Sequence, residues 1–130
     1  MPRVLILEDE PLIAMMLDGW LTELACEPVG PAGSVQAALA LIDASRIDGA
    51  ILDVSVGGHD CFAVADALRD RAVPFVFATG HGSEVIEPRF KDAPTLVKPY
   101  DFESLRKVLA RLLVRDGPLG SACGGEPDIK

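Results

Sequence analysis

Glu8, Asp9, Asp53, Thr79 and Lys98 each stand at or just past the end of a short apolar run. Val4 to Leu7 stops at Glu8-Asp9, and Ala50 to Leu52 stops at Asp53. Phe75 to Ala78 stops at Thr79, and Leu96-Val97 stops at Lys98-Pro99. Three carboxylates, a hydroxyl and an ammonium in one place would suit a divalent cation and a phosphoryl group. A carboxylate such as Asp53 can attack phosphorus and form an acyl phosphate. Two further acids beside it repel it by roughly 1 kcal/mol per pair at 4 Å in bulk water, and by several-fold more in a partly dry cleft. A hard cation relieves that repulsion, and Mg²⁺ takes one or two carboxylates together with waters and phosphate oxygens. Asp9 and Asp53 are the preferred ligand pair, with the backbone carbonyl of Ser55 as a third. Lys98 can pair with Asp53 or with an oxygen of an attached phosphoryl group. Thr79 can donate a hydrogen bond to another such oxygen, and Gly80 leaves the site open. Each residue also has a plainer reading: Asp53 as a turn-capping acid, and Glu8-Asp9-Glu10 as acids at the positive end of a helix.

These residues converge only if the runs are parallel strands, because open α/β sheets bind ligands at the carboxyl ends of their strands. Short β-rich runs do alternate with helical ones, as βαβ units require. Strands are expected at Arg3 to Glu8, weakly near Pro28-Val29 with Gly30-Pro31 ending it, then at Gly49 to Asp53, Val73 to Ala78 and Thr95 to Val97. Their continuous apolar character suits a sheet covered on both faces. Pro11 opens the first helix, which runs to about Ala25 with Ile13, Leu17, Trp20, Leu21 and Leu24 at helical spacing. Ser34 caps a second helix with the stripe Val35, Ala38, Leu39 and Ile42. Gly57-Gly58 marks a loop, and Asp60 caps a third helix that turns Cys61, Val64, Ala65 and Leu68 inward. Ser83 to Glu87 allows about one helical turn before Pro88 interrupts it. Asp101 caps the last helix, with Leu105, Val108, Leu109, Leu112 and Leu113 as its apolar stripe. Asp53 should then lie exposed at the sheet edge.

The 130 residues fit one domain, and an apolar content of 49% suffices for a single core. The expected organisation is a domain over residues 1–115 and a disordered or loosely docked tail over 116–130, where Gly, Pro, Ser and acids dominate. A net charge of −8 argues against nonspecific nucleic-acid binding. No apolar stretch approaches the roughly 18 residues of a membrane span, and no basic segment with a cleavage site opens the chain. A cytoplasmic location, away from membranes, is expected. The three cysteines show no CxxC spacing, so neither a disulfide framework nor a zinc site is indicated. Cys26 and Cys61 are read as core residues and Cys123 as an exposed thiol.

From Arg3 to about Arg115 the chain resembles the receiver domains of two-component response regulators. The segments VLILEDE, ILDVS, FATGHG and LVKP carry the resemblance, in the expected order. The separations fit as well: 44 positions from Asp9 to Asp53, 26 from Asp53 to Thr79 and 19 from Thr79 to Lys98. The resemblance implies a flavodoxin-like (βα)5 fold, a doubly wound five-stranded parallel sheet in the order 2-1-3-4-5. It implies that Asp53 is the phospho-acceptor and that Glu8 and Asp9 are the acidic pair holding Mg²⁺. Thr79 would be the switch hydroxyl and Lys98 the phosphate-pairing lysine, followed by a cis Lys98-Pro99 bond. FATGHG is similar to the FATG-type signature of stand-alone receivers from alphaproteobacteria, which are typically paired with histidine kinases of general-stress or related pathways. The implied partners are a histidine kinase or phosphotransfer protein, and a downstream protein on the face of the fourth helix, fifth strand and fifth helix. A monomer or weak dimer is expected.

Two positions depart from the pattern. Thr95 stands three residues before the lysine, where many receivers carry the Tyr or Phe that swings inward on phosphorylation. Tyr100 and Phe102 come after Lys98 and are read as packing the start of the last helix. Gly57 replaces a proline often found four residues after the acceptor, which should loosen that loop. His81 is read as a solvated loop histidine, with contact to the phosphoryl group as the alternative, and His59 as solvated. Among rival functions, Asp-nucleophile phosphatases need a second Asp two residues after the first, where this chain has Ser55. No GxGxxG or Walker A loop follows the first strand. A receiver-like scaffold that binds partners without phosphorylation would show no Mg²⁺-dependent uptake from acetyl phosphate.

Overall fold

The computed structural model describes residues 1–80 and 86–115. A five-stranded parallel sheet is built from β1 (Arg3–Leu7), β2 (Glu27–Ala32), β3 (Gly49–Asp53), β6 (Phe75–Thr79) and β7 (Thr95–Val97), in the order β2-β1-β3-β6-β7. This is the 2-1-3-4-5 order of the receiver fold. The short strands β4 (Ser55–Val56) and β5 (His59–Asp60) form a separate antiparallel hairpin. Helices α1 (Pro11–Glu23), α2 (Val35–Ala44), α3 (Phe62–Asp70) and α4 (Phe102–Arg115) complete the described elements, with one 3₁₀ turn at Pro88–Phe90.

Alternating strand residues divide the core between the two faces of the sheet. Leu5, Leu7, Ala50, Leu52, Phe75 and Phe77 pack with α2 and α3. Val4, Ile6, Ile51 and Val76 pack with Leu17 and Leu21 of α1 and with Leu105, Leu109 and Leu112 of α4. The expected inward faces of α3 and α4 are therefore the observed ones. Cys26 and Cys61 are both buried.

Two local expectations change. Gly30-Pro31 does not end the second strand: β2 continues to Ala32, with a register irregularity opposite Leu5 to Leu7. β2 is an edge strand, where a missing N–H is tolerated. Gly30 has φ +98°, and a Cβ there would stand 2.8 Å from the Ala32 amide nitrogen, so glycine is what lets the chain make this bend. Gly57-Gly58 is the two-residue turn of the β4–β5 hairpin, with φ +57° and +82°. Positive φ at both central residues matches a primed turn, which gives the loop a defined geometry. The expected turn at Ser83 to Glu87 falls mainly on residues 81–85, outside the described residues, as does His81. The tail over 116–130 also lies outside them. Phe90 just beyond is fully buried, stacked on Phe62 at 5.5 Å between ring centroids.

Candidate functional site

Parallel pairing places the ends of β1, β3, β6 and β7 along one edge. Leu7 pairs with Leu52, Asp53 with Ala78 and Thr79 with Val97. Backbone bonds continue past the strands: Val54 N–H donates to the Ala78 carbonyl (2.9 Å) and Lys98 N–H to the Thr79 carbonyl (2.7 Å). Glu8 N–H donates to the Ala32 carbonyl at 2.9 Å. The side chains singled out from sequence are thus carried by a stiff backbone edge. The Lys98-Pro99 bond is cis.

Oxygen atoms of Glu8, Asp9 and Asp53 lie within 4.8 Å of one another. Lys98 Nζ stands 3.1 Å from Asp53 Oδ2 and 3.1 Å from Glu8 Oε1. The second Glu8 oxygen accepts from the Glu10 amide at 3.1 Å. Asp53 Oδ1 accepts from the Ser55 amide at 3.3 Å, and Asp9 Oδ2 accepts from the Gly57 amide at 2.9 Å. Ser55 itself is exposed on β4. Thr79 is buried at the end of β6. Asp53 is only 7% exposed, against the expectation of an open carboxylate. The ammonium and the neighbouring acid cover it, and Asp9 is the outward member of the trio. Hard oxygen donors gathered at this spacing fit a Mg²⁺ ion, which the sequence reading called for.

The electrostatics follow from burial. Glu8 is pushed above the ordinary carboxylate range by loss of solvent and then by the Asp53 charge, against the pull of the Glu10 amide and Lys98. For Lys98 burial works against the charged form, but hydrogen bonds to Glu8 and Asp53 outweigh it, so its pKa is raised and it stays protonated. Tyr100 lies behind the site, its phenol driven well up by burial and then by the charges of Glu8 and Asp53. Its hydroxyl is buried with no protein partner among the described residues. The ring packs against Trp20 of α1, as does Phe102, in keeping with the packing role expected for both. Thr95, on β7, is exposed.

Two contacts were not anticipated from sequence. The link between Lys98 and Glu8 depends on how far a long side chain reaches across the sheet edge, which no local pattern encodes. For the second, the Gly57 amide's hold on Asp9, the readable signal reaches only as far as the Gly-Gly hairpin turn, and not to its partner 48 residues away.

Residues 4–110 match the model of the response regulator receiver domain. The chain belongs to this family. Receivers are phospho-acceptor signalling domains of two-component systems rather than conventional enzymes. SdrG from Sphingomonas melonis Fr1 is 47% identical, with a TM-score of 0.77 over 87% of this chain and 97% of that one. A BeF3-activated conformation of SdrG matches at 47% identity and a TM-score of 0.74, over 85% of this chain and 95% of that one. The response regulator TrrA from Thermotoga maritima, solved in complex with Mg²⁺-BeF, is 26% identical with a TM-score of 0.77, over 87% of this chain and 100% of that one. The transcriptional regulatory protein PdtaR from Mycobacterium tuberculosis is 36% identical over 107 residues, covering 79% of this receiver and 52% of the relative. The receiver spans about half the length of the curated relatives it matches. No helix among the described residues is long and apolar enough to cross a membrane.

Proposed function

We propose that this receiver takes a phosphoryl group onto Asp53 from a phosphohistidine of a histidine kinase or phosphotransfer protein, in a Mg²⁺-dependent reaction, and signals as a single-domain regulator. The observation that carries the reading is the seating of Asp53 between a fixed cation and two acids. Lys98 Nζ is 3.1 Å away on one side, and oxygens of Glu8 and Asp9 lie within 4.8 Å. Glu8, Asp9 and Asp53, with the Ser55 carbonyl, would hold the metal. Bound there, Mg²⁺ supplies charge neutralisation for the acids and for the incoming phosphoryl oxygens.

An Asp53 carboxylate oxygen forms the new bond to phosphorus while the bond from phosphorus to the histidine nitrogen breaks. The imidazole leaves with that electron pair and takes up a proton from solvent. Asp53 then no longer carries its own charge, and Lys98 follows the negative charge onto a phosphoryl oxygen. Thr79, at the end of the neighbouring strand, donates to another. The work asked of the protein is positioning and electrostatic stabilisation, as in other phosphoryl transfers.

The acyl phosphate carries a charge of about −1.5 to −2, by analogy with other phosphorylated side chains, in place of the single charge of the free carboxylate. That charge biases the face formed by β7 and α4 between two states. A protein partner reads this face, and Val97 of β7 is half exposed on it. Serving as a phosphate sink or relay is the other output open to such a domain. The stand-alone role is supported by SdrG, almost all of whose chain this one covers at 47% identity. An FATG-type role rests on the FATGHG segment. Asp53→Asn should abolish labelling by a phosphorylated cognate kinase and by acetyl phosphate with Mg²⁺. Labelling that persists in the variant would reject Asp53 as the acceptor.

A further inference from the structure

We propose that the Gly57 backbone amide is a positioning group for the metal ligand Asp9. The proposal rests on the Mg²⁺ site put forward above. Asp9 lies on the loop after β1 and is exposed, so its carboxylate would otherwise be free to sample several rotamers. The Gly57 N–H reaches it from 48 residues away and donates to Oδ2 at 2.9 Å. With one oxygen tied, the other remains available to a cation, and a carboxylate oriented in this way binds metal better.

The donor is itself well mounted. Val54 and Val56 are buried on either side of Ser55, Cys61 N–H closes onto the Val54 carbonyl at 3.0 Å, and Val56 pairs with His59. The hairpin that presents the Gly57 amide also carries Ser55, the expected carbonyl ligand, so a single rigid unit would set two parts of the metal's surroundings. Gly57 has φ +57°, and nothing lies within 4 Å of where a Cβ would stand. Asparagine, which tolerates the left-handed region, can therefore replace it and keep the N–H. Proline removes the N–H and demands a negative φ.

The test is a calorimetric Mg²⁺ titration of the full chain as wild type, Gly57→Asn and Gly57→Pro. Gly57→Asn should bind within about twofold of wild type, and Gly57→Pro should lose about tenfold or more in affinity. Because Gly57→Pro can disturb the hairpin, amide hydrogen exchange at Gly57 is followed in the wild type with and without Mg²⁺. Protection should persist in the metal-saturated protein. Equal affinities for wild type and Gly57→Pro would overturn the proposal. So would loss of protection on saturation, or a Gly57→Asn variant as weak as Gly57→Pro. A wild type that binds no Mg²⁺ would instead reject the metal site itself.

Discussion

Lys98 Nζ lies 3.1 Å from Asp53 Oδ2, a contact between side chains 45 residues apart in sequence that closes the site from the β7 side. The Lys98 side chain is one-fifth exposed and its ammonium is shared with Glu8, so it is held in place rather than swinging in solvent. A preorganised charge of this kind acts mainly on the charge that develops during reaction. Lys98→Ala should slow phosphorylation by acetyl phosphate by about a hundredfold, as removal of one fixed donor does elsewhere. Rates measured at saturating Mg²⁺ separate this from an effect on metal binding. An unchanged rate would show that Lys98 only neutralises the resting acids.

The Tyr100 hydroxyl is the one buried side-chain polar atom among the described residues without a protein partner. The residue is one of those lining an apolar recess of about 350 Å³, with Ile13, Met16, Lys98 and Pro99. Leaving a hydroxyl unpaired costs about 1–3 kcal/mol, whereas the ring's packing against Trp20 is kept in phenylalanine. Tyr100→Phe should therefore leave stability unchanged or raise it by up to about 1 kcal/mol in urea unfolding. A loss of more than about 1 kcal/mol would mean that the hydroxyl is satisfied in solution.

The strand ends were legible because a buried parallel strand must be apolar throughout, so the first polar residue after it marks the sheet edge. Asp53, Thr79 and Lys98 are placed in this way, and β3 and β7 have the expected bounds. What the sequence hid is of two kinds. Gly30-Pro31 reads locally as a stop, yet pairing with β1 carries β2 past it, a tertiary override of turn chemistry. Burial of Asp53 depends on side chains arriving from β1 and β7, and no window around residue 53 contains them. Phe90 was missed for the same reason. Its neighbours are charged or proline, while its partners Phe62, Phe75 and Phe77 come from α3 and β6.

Phe90 anchors the 3₁₀ turn that precedes β7. Its ring is fully buried against three other phenylalanines, and the Arg69 and Arg89 guanidinium groups lie 5.0 and 4.5 Å from its centroid. Truncation removes a whole aromatic side chain from a packed site. Phe90→Ala should lower unfolding free energy by about 3–5 kcal/mol. Phe90→Leu should recover a large part of that. A cost under about 1 kcal/mol for the alanine variant would place the turn outside the cooperative core.

Asp101 governs the start of α4 through its side chain. Its Oδ1 accepts from the Ser104 amide at 2.8 Å, and that bond, followed by a side-chain bond with Ser104, holds the carboxyl below its ordinary value of 3.8. A carboxyl whose folded value is depressed binds fewer protons in the native state. Its contribution is therefore complete above the ordinary value and is lost as pH falls through the lowered one. Asparagine caps as well as aspartate but cannot ionise, so Asp101→Asn removes only the charge-dependent part. The thermal midpoint of the wild type should exceed that of Asp101→Asn at neutral pH, where the ionised acid also favours the positive end of the helix. That difference should shrink towards zero, or reverse, as pH is lowered past the depressed value. Parallel midpoint curves across the whole range would show that the cap acts without its charge.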